Sequence, residues 1–206
     1  MRALRNCLKD PIPPIFEAAD LLRRAVDSHL AGEASTAGEL FRAADMPEVR
    51  AWTESIWGSG WKDLVKPRSI DGAPPHLSKE QRQPLRMPNK QGEATIIARD
   101  GYHCRFCGIP VIHKRIRERA KRLYPQSVTW GSPNQSQHAG FQAMWLQFDH
   151  LVPHSRGGTS ELSNVLITCA PCNYGRFHYL VEELDLINPF DRQPVTTDWN
   201  GLEDLI

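Results

Sequence analysis

Long apolar runs are missing from this chain of 206 residues. None approaches the roughly 20 residues of a membrane helix, and Met1 to Phe16 carries Arg2, Arg5, Lys9, Asp10 and three prolines where a signal peptide would have an apolar stretch. A cytoplasmic protein with no membrane partner is the expectation. Internal repeats and low-complexity tracts are missing too. Charge of one sign is equally scarce: 25 Lys and Arg against 24 Asp and Glu leave a net +1, so composition alone points to no nucleic-acid partner. Core material, by contrast, is plentiful. With 40% hydrophobic residues, six Trp and seven Phe, the chain can build one generous domain or a compact one with an appendage. A multidomain machine is excluded.

The near-zero balance conceals a gradient. Net charge is −2 over residues 1–61, +4 over 62–90, +5 over 91–178 and −6 over 179–206. A basic middle between acidic ends is compatible with a phosphate-binding face. Cysteine is sparse, five in all, but Cys104, Cys107, Cys169 and Cys172 form two C-x-x-C pairs. In a reducing compartment each short turn presents two thiolates to one ion, so two turns complete a tetrahedral structural zinc site. A redox C-x-x-C needs only one pair in a thioredoxin-like setting, and the compartment disfavours a disulfide. Cys7 reads as an incidental buried thiol. His103 has no place in a shell that four cysteines fill.

Periodicity divides the chain into residues 1–60, a helical region; 61–92, a basic connector; 93–190, the chemistry-bearing domain; and 191–206, an acidic tail. Ile15, Ala18, Ala19, Leu22, Val26 and Leu30 predict one amphipathic helix; Thr36 with Glu39 reads as a capping box for a second, and Pro47 with Glu48 opens a third. At helical spacing Trp52 and Trp57, with Trp61 after them, are better read as packing than as base-stacking residues. Pro67, Pro74, Pro75, Pro84 and Pro88 forbid a long helix in the connector. Glu93–Asp100 and Ile112–Tyr124 are further helices, the second crowded with Lys114, Arg115, Arg117, Arg119, Lys121 and Arg122. That face is either solvated or a DNA contact. Residues 125–143 read as a loop.

The informative run is Phe148-Asp149-His150-Leu151-Val152-Pro153-His154-Ser155-Arg156-Gly157-Gly158, then Asn164 to Cys169, then Pro171-Cys172-Asn173. It reads as a strand ending in Asp-His, a Gly-containing loop, an apolar strand, and a zinc turn opening a helix through Tyr179 and Leu184: a ββα unit. Phosphodiester hydrolysis needs a base for water, a cation to offset charge, and something to hold the base. His150 and Asp149 offer base and ligand, and Asn164 can hydrogen-bond the loop or the imidazole. A carboxylate and an amide oxygen suit magnesium or manganese, so two kinds of metal are expected.

At these residues the sequence resembles the HNH nuclease family, over about Arg99 to Leu184. The resemblance rests on both C-x-x-C pairs, Asp-His-Leu-Val-Pro, the Gly-Gly turn, Asn164, and Asn173 after the last cysteine. It implies an α+β protein with a zinc-stapled ββα-metal domain and metal-dependent cleavage or nicking of double-stranded DNA. His150 is then the general base, Asp149 the ligand of the catalytic cation and Asn164 the orienting residue. Asn173 occupies a ligand position where many members have His, and His178 is a candidate further ligand. Arg156 and His154, beside the base, are candidate phosphate contacts, with Lys114, Arg115, Arg117, Lys121 and Arg122 on the basic helix. Small chains with such a domain resemble restriction and anti-phage defence nucleases. The N-terminal helices are a candidate surface for a protein partner or a second copy. Competing readings are a non-catalytic zinc-dependent DNA-binding adaptor, which would need no Asp149, His150, Asn164 and Asn173, and an RNA-cleaving toxin.

Overall fold

Helical period dictates the first third of the chain. In α1 (Pro13–Leu30) the buried residues Ile15, Ala18, Ala19, Leu22, Ala25 and Val26 fall on one stripe, and prolines start the helix where no N–H is needed. The second helix, α2 (Ala34–Ala43), buries Ala37 and Phe41; α3 (Pro47–Trp57), opened by a proline with Glu48 in its first turn, buries Val49, Trp52, Thr53 and Ile56. The capping box expected of Thr36 and Glu39 does not form, because α2 begins at Ala34 and takes both residues inside it. A capping box is found instead at Ser78 and Gln81, around a 3-10 turn over Lys79–Gln81.

The computed structural model describes residues 3–85 and 87–206; Met1, Arg2 and Arg86 lie outside the described residues. One apolar core runs from Ile15 and Leu22 through Phe41, Trp52 and Ile56 to Phe141, Leu166 and Ile167. Residues 125–143 contribute to this seam. They hold a 3-10 turn at Asn134–Ser136 and then α7 (Ala139–Ala143). Buried His138 accepts from the Phe141 N–H through Nδ1 and donates from Nε2 to the Phe41 carbonyl at 2.7 Å, which ties α7 to α2.

Between the helices and the sheet, a short helix, α4 (Trp61–Leu64), leads into residues 65–89, a proline-rich strap without regular structure apart from the Lys79–Gln81 turn. The strap ends where Asn89 caps α5 (Lys90–Asp100), accepting from the Gly92 N–H at 2.9 Å. After α6 (Lys114–Leu123), β1 (Leu146–His150) pairs antiparallel with β2 (Val165–Cys169), placing Leu146 opposite Cys169 and His150 opposite Val165. The fully buried β2 passes directly into α8 (Ala170–Arg176). This is an α+β fold with the expected ββα unit. The last helix is shorter than expected: the chain turns at Phe177 (φ 56°), and Arg176 donates across the turn to the Tyr179 carbonyl at 2.7 Å.

The acidic residues 191–206 pack against the rest of the fold. Leu202 and Leu205 are buried, Trp199 Nε1 donates to the Val111 carbonyl at 3.1 Å, and Tyr102 Oη donates to Glu203 at 2.8 Å. Among the described residues no helix is long and apolar enough to cross a membrane.

Candidate active site

The four paired cysteines converge. Cys104 and Cys107 sit on a tight turn after α5, closed by hydrogen bonds from Cys104 N–H to the Ile109 carbonyl (2.9 Å) and from Gly108 N–H to the Cys104 carbonyl (2.8 Å). Cys169 ends β2 and Cys172 lies in the first turn of α8. All four sulfurs lie within 4.8 Å of one another. A tetrahedral zinc with bonds of about 2.3 Å sets its sulfurs about 3.8 Å apart, so the cluster is compatible with a zinc site. Burial opposes ionisation of Cys104, yet hydrogen bonds from the other three thiols draw it well down, while Cys169 and Cys172 are pushed well up. A cation would replace that shared hydrogen bonding with four thiolates, fastening a turn, a strand and a helix together.

A second site lies in a cleft of about 990 Å³ between the ββα unit and the strap. Its lining includes Asp149, His150, Asn173 and His178 from one wall and His76, Lys79 and Arg82 from the other. The strap is pinned across the loop after β1: Leu77 N–H donates to Ser155 O (2.8 Å), Arg156 Nε to Pro74 O (2.7 Å), and His154 Nε2 bonds Gln83 O (2.8 Å).

His150, at the buried end of β1, bonds Ser160 Oγ through Nε2 at 3.3 Å. Ser160 has one hydroxyl proton, and it points to the Leu85 carbonyl at 2.8 Å. Toward His150 the oxygen is therefore the acceptor, so Nε2 carries the imidazole proton and Nδ1 is the basic nitrogen. The side-chain hydrogen bonds of Asn164 go to the loop. Its amide accepts from Val152 N–H (2.8 Å) and donates to Val152 O (3.1 Å) and Thr159 O (2.8 Å), locking the loop that carries Pro153 to Gly158. The Gly-Gly turn is steric: Gly157 takes φ 86°, and a Cβ on Gly158 would meet Val152 O at 1.7 Å.

The Asp149 carboxylate is already partnered. Arg176, 1% exposed, donates from Nη2 to both carboxylate oxygens at 2.8 Å, and also to the His150 carbonyl (2.5 Å) and, from Nη1, to the Leu151 carbonyl (3.2 Å). Burial pushes the Asp149 carboxyl above the usual range and Arg176 draws it part of the way back. Asn173 donates from Nδ2 to Gln147 Oε1 at 3.4 Å, so its amide oxygen is the atom that could face a cation. These donors fit a hard divalent cation, Asn173 through that oxygen and Asp149 through the lone pairs Arg176 leaves over. His178 lies beyond α8, with its ring 4.4 Å from that of His76. Burial, then His76 and Arg156, hold its imidazole below the usual range against the pull of Glu183.

Two expected DNA contacts are corrected by burial. Arg117, 6% exposed, stacks on Trp130 (3.7 Å to the ring centroid) and Trp145 (4.8 Å). Arg156 is enclosed by Pro74 and by Glu183, 2.6 Å away. Neither guanidinium reaches solvent phosphate. Arg115 is paired with Glu203 and Lys121 donates to Trp130 O, which leaves Lys114 and Arg122 as exposed cations of α6 outside the cleft lining. Sequence reasoning missed Arg176, although its i,i+3 spacing from Asn173 on one helix was a usable signal. It also missed Ser160, His76, Lys79 and Arg82, whose approach to the site depends on long-range folding.

Residues 136–176 match the family model described as HNH endonuclease, a span holding His150, Asn164, Asn173, Cys169 and Cys172 but neither the strap nor the N-terminal helices. No curated protein and no solved structure matches. With the ββα unit, the cysteine cluster and the Asp-His strand end in place, this match identifies residues 136–176 as an HNH endonuclease domain.

Proposed function

We propose that this protein is a metal-dependent endonuclease or nickase that hydrolyses phosphodiester bonds in DNA. The observation that carries the reading is the oriented imidazole at the Asp-His strand end, lining the cleft: Ser160 accepts from Nε2 of His150, so Nδ1 is the nitrogen that would accept a proton from water. The activated water attacks phosphorus and the 3′ oxygen leaves. Arg176 and Asn164 hold the strand end and the loop, so the base stays aligned. Magnesium or manganese at Asp149 and Asn173 would supply charge neutralisation at the phosphate, with the substrate's own oxygens completing a weak site. Zinc at the four cysteines has a structural part.

A role in restriction or anti-phage defence, in the cytoplasm, goes with this reading, and the N-terminal helices offer a partner or dimer surface. The test is incubation of supercoiled plasmid with wild-type and His150→Ala protein, with and without magnesium or manganese, in the presence of competitor RNA. Relaxed or linear plasmid from the wild type alone, dependent on the metal and unaffected by RNA, is expected. DNA binding without cleavage would favour the adaptor reading, and preferential loss of RNA the toxin.

A further inference from the structure

The cleft has an aromatic wall that the hydrolytic chemistry does not use. Tyr174 and Phe177 line it beside Asn173 and are 43% and 61% exposed, uncommon for large rings on a surface otherwise built to bury them. Phe177 holds its position at φ 56° and ψ −117°, a backbone conformation that side chains rarely adopt. Both rings are buttressed from behind by the N-terminal region. Trp57 packs edge-on to Tyr174 at 4.8 Å and Trp61 to Phe177 at 6.4 Å, while Trp61 Nε1 donates to the Gly175 carbonyl at 2.8 Å.

The facing wall is cationic. Lys79 and Arg82 come from the strap, and Arg82 is oriented by its own bonds to the Leu77 carbonyl at 3.0 and 3.2 Å. Among the described residues Asp149 is the one acid in the lining, and its charge is matched by Arg176. A cationic wall opposite exposed ring faces fits a strand whose phosphates run along one side and whose bases turn to the other. Bases inside a duplex are already stacked on their neighbours and cannot lie on Phe177. The cleft volume, about 990 Å³, is at the upper end for a small-ligand site and takes a short stretch of one strand.

Resting on the nuclease reading above, we infer that the substrate enters this cleft as an unpaired DNA strand, with bases next to the scissile phosphate stacked on Phe177 and Tyr174 and flanking phosphates on Lys79 and Arg82. Phe177 and Tyr174 are then specificity-determining residues, and the N-terminal helices serve the site by supporting them.

The test is fluorescence anisotropy with full-length His150→Ala protein and one labelled oligodeoxynucleotide, offered as a single strand, as a duplex, and as the same backbone without bases. The single strand should bind at least about tenfold more tightly than the duplex or the abasic strand. Adding Phe177→Ala should weaken single-strand binding about tenfold, the loss of one stacked base, with the duplex unchanged. Phe177→Trp should restore it. Phe177 is exposed, so a folding defect is not expected, and circular dichroism checks this. Duplex binding as tight as the single strand, or Phe177→Ala without effect, overturns the inference. Plasmid cleavage separates the two claims. Full cutting of duplex by otherwise wild-type Phe177→Ala protein would overturn the inference and leave the nuclease standing. Phe177-dependent strand binding without cleavage by the wild type would uphold the aromatic wall and remove the nuclease.

Discussion

Helix α6 packs six basic residues into ten positions, while among the described residues the strap brings three basic side chains, His76, Lys79 and Arg82, to the cleft lining. The denser segment spends four of its six cations on the protein itself. Arg117 lies against two indoles, its Nη1 meeting no hydrogen-bond acceptor, Arg115 faces Glu203, and Lys121 and Arg119 donate to backbone carbonyls of Trp130 and Leu205. In the strap Arg82 also donates to a backbone carbonyl, that of Leu77, but it and Lys79 line the cleft that holds His150. Local charge density therefore does not identify a phosphate-binding surface; the position of each cation relative to the cleft does.

The comparison breaks most visibly at Arg117. Arg117→Ala removes a desolvated cation from two indole faces and should lower unfolding free energy by about 2–3 kcal/mol. Chemical denaturation would register this, with the salt dependence of DNA affinity unaltered. Next in size is Lys79→Ala with Arg82→Ala. Losing two phosphate contacts to a single strand should reduce affinity about tenfold and flatten the slope of log affinity against log salt by about 1.4. An unchanged slope would make the strap a solvated segment like α6.

A smaller effect concerns what holds the strap in place. Burial opposes ionisation of Glu183, but hydrogen bonds from Arg156 and the Leu180 N–H hold its carboxyl below the ordinary 4.5. A depressed acid contributes stability that is complete above the unfolded value and is lost as pH falls through the folded one. Strap docking, read as hydrogen exchange at the Leu77 amide, should be constant from neutrality to about pH 5 and weaken below 4.5. Glu183→Gln should show the weakened state at every pH, by about 1 kcal/mol. Smallest is Lys114→Ala with Arg122→Ala, exposed cations outside the cleft, which should change strand affinity less than twofold.

How much was legible in the sequence follows from contact range. The cysteine turns and the β1–loop–β2–α8 run were readable because spacing, strand alternation and the Gly-Gly turn are local signals. That Asn164 could hydrogen-bond the loop was readable, and its bonds do go to Val152 and Thr159, while Ser160 meets the imidazole. The indole faces covering Arg117, the Glu183 partner of Arg156 and the strap over the cleft were not readable, since each joins segments whose approach is set by the shared core. The reach of α8 was overestimated because Phe177 breaks a pattern that propensity alone would continue.

The central claim is that the imidazole at position 150 is the proton acceptor of a hydrolytic reaction. His150→Gly, assayed under single turnover with magnesium or manganese and increasing free imidazole, tests it most directly. The account predicts a loss of cleavage of about a hundredfold to ten-thousandfold, reversed in part by imidazole in proportion to its neutral form. Cleavage by His150→Gly at the wild-type rate would contradict it.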